Sequence, residues 1–504
     1  MTSRDELPPD EDALLQALHL RLRAAAGPLG LSTDELARAE DAASWQGGHA
    51  RAASLLLDRA AERVRGSGDV TRLWLLLATA HGALPSPDDV LRVRRRFALD
   101  RTADRPGSSR WLTDPESWPA LGLSPLRSRL VHDEVLIDAG HTAQADLMTG
   151  IQRVVREVLR RWVPSRPVAP AAWTPGHTAF RSLSGAELAR LARWGEDICE
   201  QTIEPTSQLL LPWRTTVFLA EVSHEAEQLD RLAALARFSG SRLVLLGFDT
   251  IPTSNAEAVG PGLAAHFARY LAMVKHADRV LAISQSAGKE FSGFARAVTA
   301  QGLPGPEVLV CPLVGQVPPV TSAPADSAVP MVLVVGTIEP RKNHLTVLYA
   351  AEVLWREGLA FQLVLVGKAT PGGANVLERV AELQAAGRDL VHRPDVADAG
   401  VWQAYREARL SVFVSTHEGY GLPIAESLAS GTPVVTADRG ATAEAAEGGG
   451  ALLVDPTDER AVVDAVRRLL TDDALLSELT AEAAARPLRG WDDYANDLWG
   501  LLGL

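Results

Sequence analysis

Two glutamates and two adjacent cations carry the most chemistry in this sequence. Glu418 and Glu426 bracket Gly419-Tyr420-Gly421-Leu422-Pro423, and Arg341-Lys342 close the stretch that opens with Gly336-Thr337-Ile338. Ionised carboxylates only accept hydrogen bonds, so a pair of them around a tight turn suits a polyhydroxylated ligand. Arginine grips two oxygens at once and lysine adds a point charge, a combination that suits a diphosphate. Two cations ahead of a helix oppose its dipole unless an anion lies between them. Two further junctions offer ligands: Thr149-Gly150, before an amphipathic stretch that carries Arg153, and Asp249 in Gly247-Phe248-Asp249-Thr250-Ile251-Pro252. Arg153 reads equally as a surface arginine, and Lys368 is a weaker cationic candidate.

These side chains need strands that end, and helices that begin, at the same place. Residues 410–415 are a short apolar run, the pattern of a buried parallel strand. Gly419 and Gly421 lack Cβ, so the backbone can turn tightly and approach a ligand closely. Pro423 fits the first helical turn, and Gly431 ends that helix. Free amides and the positive dipole end at this helix start suit an anion. Residues 331–335 predict a second such strand, leading through Gly336 to the cations and a helix at 344–356. Strands are expected at 134–138, 168–173, 208–211, 216–220 and 242–246, with a helix at 225–238. Residues 277–286 read as another strand with Ser284 capping the next helix. Residues 361–366 read as one more strand. The alternation predicts parallel sheets with helices on both faces.

The Glu418–Glu426 spacing, residues 431–435 and 452–456, the loop carrying Arg341-Lys342 and the Thr149-Gly150-Ile151-Gln152-Arg153 opening resemble the retaining family-four glycosyltransferases, in particular bacterial mannosyltransferase-like members. The resemblance implies an α/β GT-B fold, two Rossmann-like lobes with an interlobe cleft. It implies that Glu418 meets the donor sugar or its phosphate region and that Glu426 holds the ribose. Gly419, Tyr420, Gly421 and Leu422 carry over as donor contacts. Gly336, Arg341 and Lys342 carry over as the diphosphate loop, Gly150 as a contact to donor phosphate and acceptor, and Asp249 as an acceptor-side group. Residues 392–396 fall where relatives meet the base through backbone groups. Relatives usually read His-Asp-x-Ile-Pro where this chain has Phe248-Asp249-Thr250-Ile251-Pro252, so the histidine is missing; His224 and His266 are the spatial substitutes to consider. The implied reaction moves a sugar from a nucleotide-diphosphate donor to an acceptor hydroxyl with retention, in glycan or glycoconjugate biosynthesis such as that of polysaccharides. No cofactor is implied beyond the donor substrate.

Length and composition bound the rest. The 504 residues allow about three domains. Residues 1–130 read as a helical N-terminal extension, with a capping box at 32–35. Residues 131–325 are expected to form the acceptor-side lobe and 326–487 the donor lobe, with a hinge near 321–325. Residues 488–504 are expected to form a helix crossing back to the first lobe. A net charge of −13 argues against a nucleic-acid partner. Cys199 and Cys311 are too few for a disulfide or metal framework, which points to a reducing cytoplasm. The N-terminus lacks the apolar stretch of a signal peptide, and no apolar run reaches the ~18 residues of a membrane span. The arginines at 92, 94, 95 and 96 leave peripheral membrane contact open, with a solvated helix face as the plainer reading. No metal is expected, since the one Asp-x-Asp, Asp10-Glu11-Asp12, lies in the polar N-terminus. Expected partners are a nucleotide-sugar donor and a glycan, lipid-linked or peptide acceptor, with residues 1–130 open to a protein partner or a second copy. Two other readings remain: a GT-B sugar-nucleotide epimerase or hydrolase, marked by turnover without acceptor, and a non-catalytic scaffold acting through residues 1–130, marked by absence of sugar-nucleotide binding.

Overall fold

The computed structural model describes residues 11–45, 48–100, 109–113, 124–145, 148–194, 207–223, 225–260, 262–315, 329–487 and 489–504. The expected hinge at 321–325, His224, Cys199 and Asp10 lie outside the described residues.

Short apolar runs separated by helices form two sheets. The first contains β1 (Ser128–Val131), β2 (Val135–Asp138), β3 (Val168–Trp173), β4 (Phe180–Ser182), β5 (Leu209–Pro212), β6 (Thr216–Leu219), β7 (Arg242–Gly247), β8 (Arg279–Ala282) and β9 (Glu307–Val310), in the order β1-β5-β4-β3-β2-β6-β7-β8-β9. The second contains β10 (Met331–Val335), β11 (Gln362–Val366), β12 (Leu390–Arg393), β13 (Leu410–Phe413), β14 (Val434–Ala437) and β15 (Ala451–Val454), in the order β12-β11-β10-β13-β14-β15. All pairings in the second sheet are parallel. The first departs from the expected parallel sheet at β4, which runs antiparallel to both its neighbours. Every residue of β5, β6, β13 and β14 is buried, as strands covered on both faces require.

Each sheet has one place where the chain leaves a strand in one direction and returns on its other side. In the first this lies between β2 and β6, in the second between β10 and β13. Ligands of open α/β sheets bind in the crevice outside the carboxyl ends of such strands. The loops leaving β2, β10 and β13 carry Gly150, Arg341-Lys342 and Glu418, so topology alone puts these residues at the crevices.

The expected boundary at residue 130 falls inside β1, an edge strand of the first sheet. The N-terminal helices, among them Glu11–Ala24, Gly48–Ser67 and Val70–His81, pack on one face of that sheet. Leu22, Leu56 and Trp74 share a single apolar cluster with Val131, Leu136, Phe180 and Val217. The buried Arg21 guanidinium fastens this layer by donating to the carbonyls of Thr79, Ala80, Ser124 and Leu126. The opposite face buries Ile137, Phe218 and Val244 with Val154, Leu159 and Trp162 of the helix Gly150–Trp162.

The last helix, Trp491–Leu501, follows the second lobe but packs on the first. Trp162 Nε1 donates to the Ala495 carbonyl at 3.0 Å, and the Trp162 and Trp499 rings meet edge to face at 5.1 Å. Edge-to-face contact suits the opposed charges of ring face and ring edge.

Candidate functional site

The turn after β13 is wedged between the lobes. Gly421 caps the helix Leu422–Ala429 with φ 111°, a conformation that favours glycine. A Cβ on Gly419 would lie 2.5 Å from the Phe248 carbonyl oxygen and 3.1 Å from Asp249 Oδ2. Only glycine allows this backbone to run so close to the first lobe. Ser284 Oγ donates to the Gly419 carbonyl at 2.7 Å, and the Tyr420 hydroxyl donates to the Leu313 carbonyl at 2.7 Å. A Cβ on Gly150 would lie 3.4 Å from Leu422 Cδ1, so the first lobe's Thr149-Gly150 loop meets the same turn.

Around this turn partly buried cations converge on the buried Glu418. Lys342 Nζ is 2.5 Å from Glu418 Oε1, and Arg341 Nη1 is 2.7 Å from Glu418 Oε2. Arg341 also pairs with Glu339 at 2.7 Å and donates to the His417 carbonyl at 3.0 Å. The Lys342 ammonium lies 4.6 Å from the centre of the Phe413 ring, within cation–π range. Gly336, at φ 144°, begins the loop that brings both cations here. Burial pulls the Lys342 amine below its usual range despite Glu418. Burial would raise the Glu418 carboxyl, but Lys342 and Arg341 outweigh it and hold the group below its usual range. Asp249, beside the turn, behaves oppositely. Burial pushes it up, and the Ile251 N–H at 3.0 Å and Arg341 offset this only in part. Among the described residues no three histidine, cysteine, aspartate or glutamate side chains gather as metal ligands.

Glu426 lies buried on the helix that begins at Leu422. Tyr405 OH donates to its Oε2 at 3.4 Å, and Arg153 of the first lobe pairs with Oε1. Arg153 also reaches Asp398 at 3.4 Å and lies 5.5 Å from the Trp402 ring centre. Burial raises the Glu426 carboxyl, and Arg153 offsets this only partly. The pair borders an interlobe cavity of about 1230 Å³ lined by Arg153, Arg156, Trp194, Asp398, Trp402 and Glu426 among others. Arg153 is thus an interlobe residue, not a surface one.

Other candidates fall elsewhere. Lys368 pairs with Asp395 at 2.8 Å, with both side chains largely exposed. His266 is exposed on the helix Leu263–Val274. The imidazole that reaches the 248–251 loop region comes from the second lobe: His417 Nε2 lies 2.7 Å from Oε1 of Glu290, whose other oxygen accepts from the Thr250 N–H at 3.0 Å and hydroxyl at 2.7 Å. Neither His417 nor Glu290 is among the residues that the sequence points to. A polar side chain adjoining Glu418 was the available signal. A second unforeseen pair, Asp138 and Glu221, closes the carboxyl ends of β2 and β6. Trp173 Nε1 donates to Asp138 at 2.8 Å, and Glu221 accepts the amides of His141 and Thr142 at 2.9 and 2.6 Å. Burial pushes Asp138 up to about 7. These bonds fix the start of the loop that leads to Gly150.

Residues 329–472 match the family model described as Glycosyl transferases group 1. Over 324 residues the chain is 28% identical to the serotype-specific mannosyltransferase WbdA of Escherichia coli, covering 60% of this chain and 38% of that protein. Over 190 residues it is 35% identical to a D-inositol 3-phosphate glycosyltransferase of Acidothermus cellulolyticus, covering 36% of this chain and 41% of that one. The chain therefore spans about two fifths of the length of these curated relatives. The solved structure of Anabaena HepE in complex with UDP and glucose aligns with a TM-score of 0.52 at 13% identity, over 74% of this chain and 100% of that one, a likeness of fold. The chain has the two-lobed GT-B fold, its motifs are family-four-like, and within the second lobe residues 329–472 match the glycosyl transferases group 1 model.

Proposed function

We propose that this protein is a retaining hexosyltransferase that moves a sugar from a nucleoside-diphosphate donor to an acceptor hydroxyl without a metal ion. The observation that carries this reading is the triad of Arg341, Lys342 and the buried Glu418, in the turn that leads into the helix Leu422–Ala429. Breaking the glycosidic bond leaves negative charge on the diphosphate. Preorganised cations and amides in a site shielded from water stabilise such charge strongly. Glu418 holds both cations in place before the ligand arrives and can accept hydroxyls of the donor sugar. Glu426 accepts the ribose hydroxyls once Arg153 moves aside, and the nucleoside extends into the adjoining cavity. Asp249 faces the acceptor side.

The names of the relatives support mannose as the sugar and a surface glycan as the product. A glycan, lipid-linked or peptide hydroxyl would serve as acceptor. No helix among the described residues is long and apolar enough to cross a membrane, and we place the reaction in the cytoplasm, with peripheral contact to a membrane. A thermal-shift panel of UDP-, GDP- and dTDP-sugars tests the donor, because a ligand of the native state raises apparent stability. A shift with one nucleotide class supports the reading, and no shift with any of them removes it.

A further inference from the structure

Beside the glycine turn the two lobes are joined by a side-chain pair, His417 with Glu290. The first-lobe helix Gln285–Thr299 docks on the second lobe at two points. Its opening amides, Gln285 and Ser286, donate to the Glu444 carboxylate at 2.7 and 3.0 Å. Further along, Glu290 takes His417 Nε2 at 2.7 Å while gripping Thr250 with its other oxygen. The carbonyl of the same histidine accepts from Arg341. His417 therefore touches Arg341 through its main chain, and its ring is linked to Thr250 of the 248–251 loop through Glu290. The charged groups that bear on it are Glu290 from the helix Gln285–Thr299, Asp249 from the loop after β7, Glu418 from its own turn, and Arg341 across the turn.

We infer that His417 and Glu290 form a clasp that holds the lobes closed over the reacting sugar, and that His417 is a positioning residue for transfer. The lobe contact stands on its own geometry, while its catalytic consequence rests on the donor reading above. A second interlobe pair among the described residues, Arg153 with the buried Glu426, lies on the carboxylate proposed for the ribose and on that reading is released when the donor enters. The clasp lies outside that exchange and persists through the cycle.

Hydrogen bonding to Glu290 raises the His417 pKa. Burial would raise Glu290, but His417 and Thr250 outweigh it and hold it low. A raised histidine pKa means the ionic clasp is complete below about 6.5 and weakens as pH rises through the raised value. It also weakens in acid, as Glu290 takes up a proton below the usual glutamate range.

The test uses the full-length protein with H417Q, E290Q and the exchanged double variant H417E/E290H. Small-angle scattering between pH 6 and 9 reads lobe closure, and steady-state kinetics over the same range read its consequence. The wild type is expected to expand as pH rises, with H417Q expanded throughout and the exchanged pair restoring compactness. A 1 Å misplacement of reactants costs about a hundredfold, so H417Q is expected to lose roughly ten- to a hundredfold in kcat, with donor KM little changed. E290Q is expected to move the alkaline limb of kcat down toward the ordinary histidine value of about 6.5. Unchanged scattering together with unchanged kcat and pH profile in H417Q overturns the clasp. If the wild type binds no sugar nucleotide, the donor reading falls, and the scattering arm still decides the clasp.

Discussion

Arg153 and Glu426 come from opposite lobes and pair directly, with the Glu426 side chain buried and the Arg153 side chain 22% exposed. A buried ion pair is costly to break by removing one partner, because the other charge is left unsolvated. On the donor reading proposed above, ribose hydroxyls would take the place of Arg153 on this carboxylate.

Removing the arginine exposes that cost. R153A is expected to lose about 3–5 kcal/mol of stability near pH 8, where Glu426 must stay charged without a partner. The Glu426 carboxyl is already raised by burial. A raised carboxyl contributes stability at low pH that is lost as pH rises through its folded value, so the deficit should shrink toward pH 5. Urea unfolding at the two pH values checks this, and equal losses at both would remove the ionic account.

The diphosphate cations should act on turnover. R341A and K342A are each expected to reduce kcat by about 10²–10³, as for loss of one preorganised charge-stabilising donor. Both cations also neutralise Glu418 in the resting protein. For that reason E418Q combined with either variant should recover stability without recovering turnover. Full activity in both single variants would contradict their assignment.

Glu426 should act on binding. Hydrogen bonds to a charged acceptor contribute about 1.5–3 kcal/mol, so E426A is expected to weaken nucleoside-diphosphate affinity by roughly ten- to a hundredfold. Calorimetry with the nucleotide identified by the thermal-shift panel is the check, and unchanged affinity would reject the role.

The glycine turn gives a prediction that depends on no ligand chemistry. A methyl group at 419 would sit 2.5 Å from the Phe248 carbonyl. The backbone on either side cannot yield cheaply, and overpacking of this kind costs about 1–3 kcal/mol. G419A is expected to hold the lobes apart, lowering turnover roughly ten- to a hundredfold while each lobe stays folded. An identical scattering curve and rate would show that the close approach is dispensable.

How much of this was legible depends on how local each feature is. The strand, glycine turn and helix around Glu418, the cation loop and the final amphipathic helix are contiguous patterns, and all three elements appear where the sequence puts them. β4 has three residues, too few to show a period, and its antiparallel sense is set by neighbours far along the chain. β1 gave no strand signal because it has four residues, three of them only half buried at the edge of the sheet. The two interlobe pairs were invisible for the same reason: Arg153 meets Glu426, and His417 meets Glu290, only after both lobes have folded and met. Phe248 stands where relatives usually have a histidine, and the imidazole that reaches this region belongs to the other lobe.

The most direct test is a crystal structure with an intact nucleoside-diphosphate sugar bound. The account predicts diphosphate oxygens within hydrogen-bond distance of Arg341 and Lys342, ribose hydroxyls on Glu426, and Arg153 displaced from that carboxylate. A nucleotide seated away from these residues, with Arg153 still on Glu426, would contradict it.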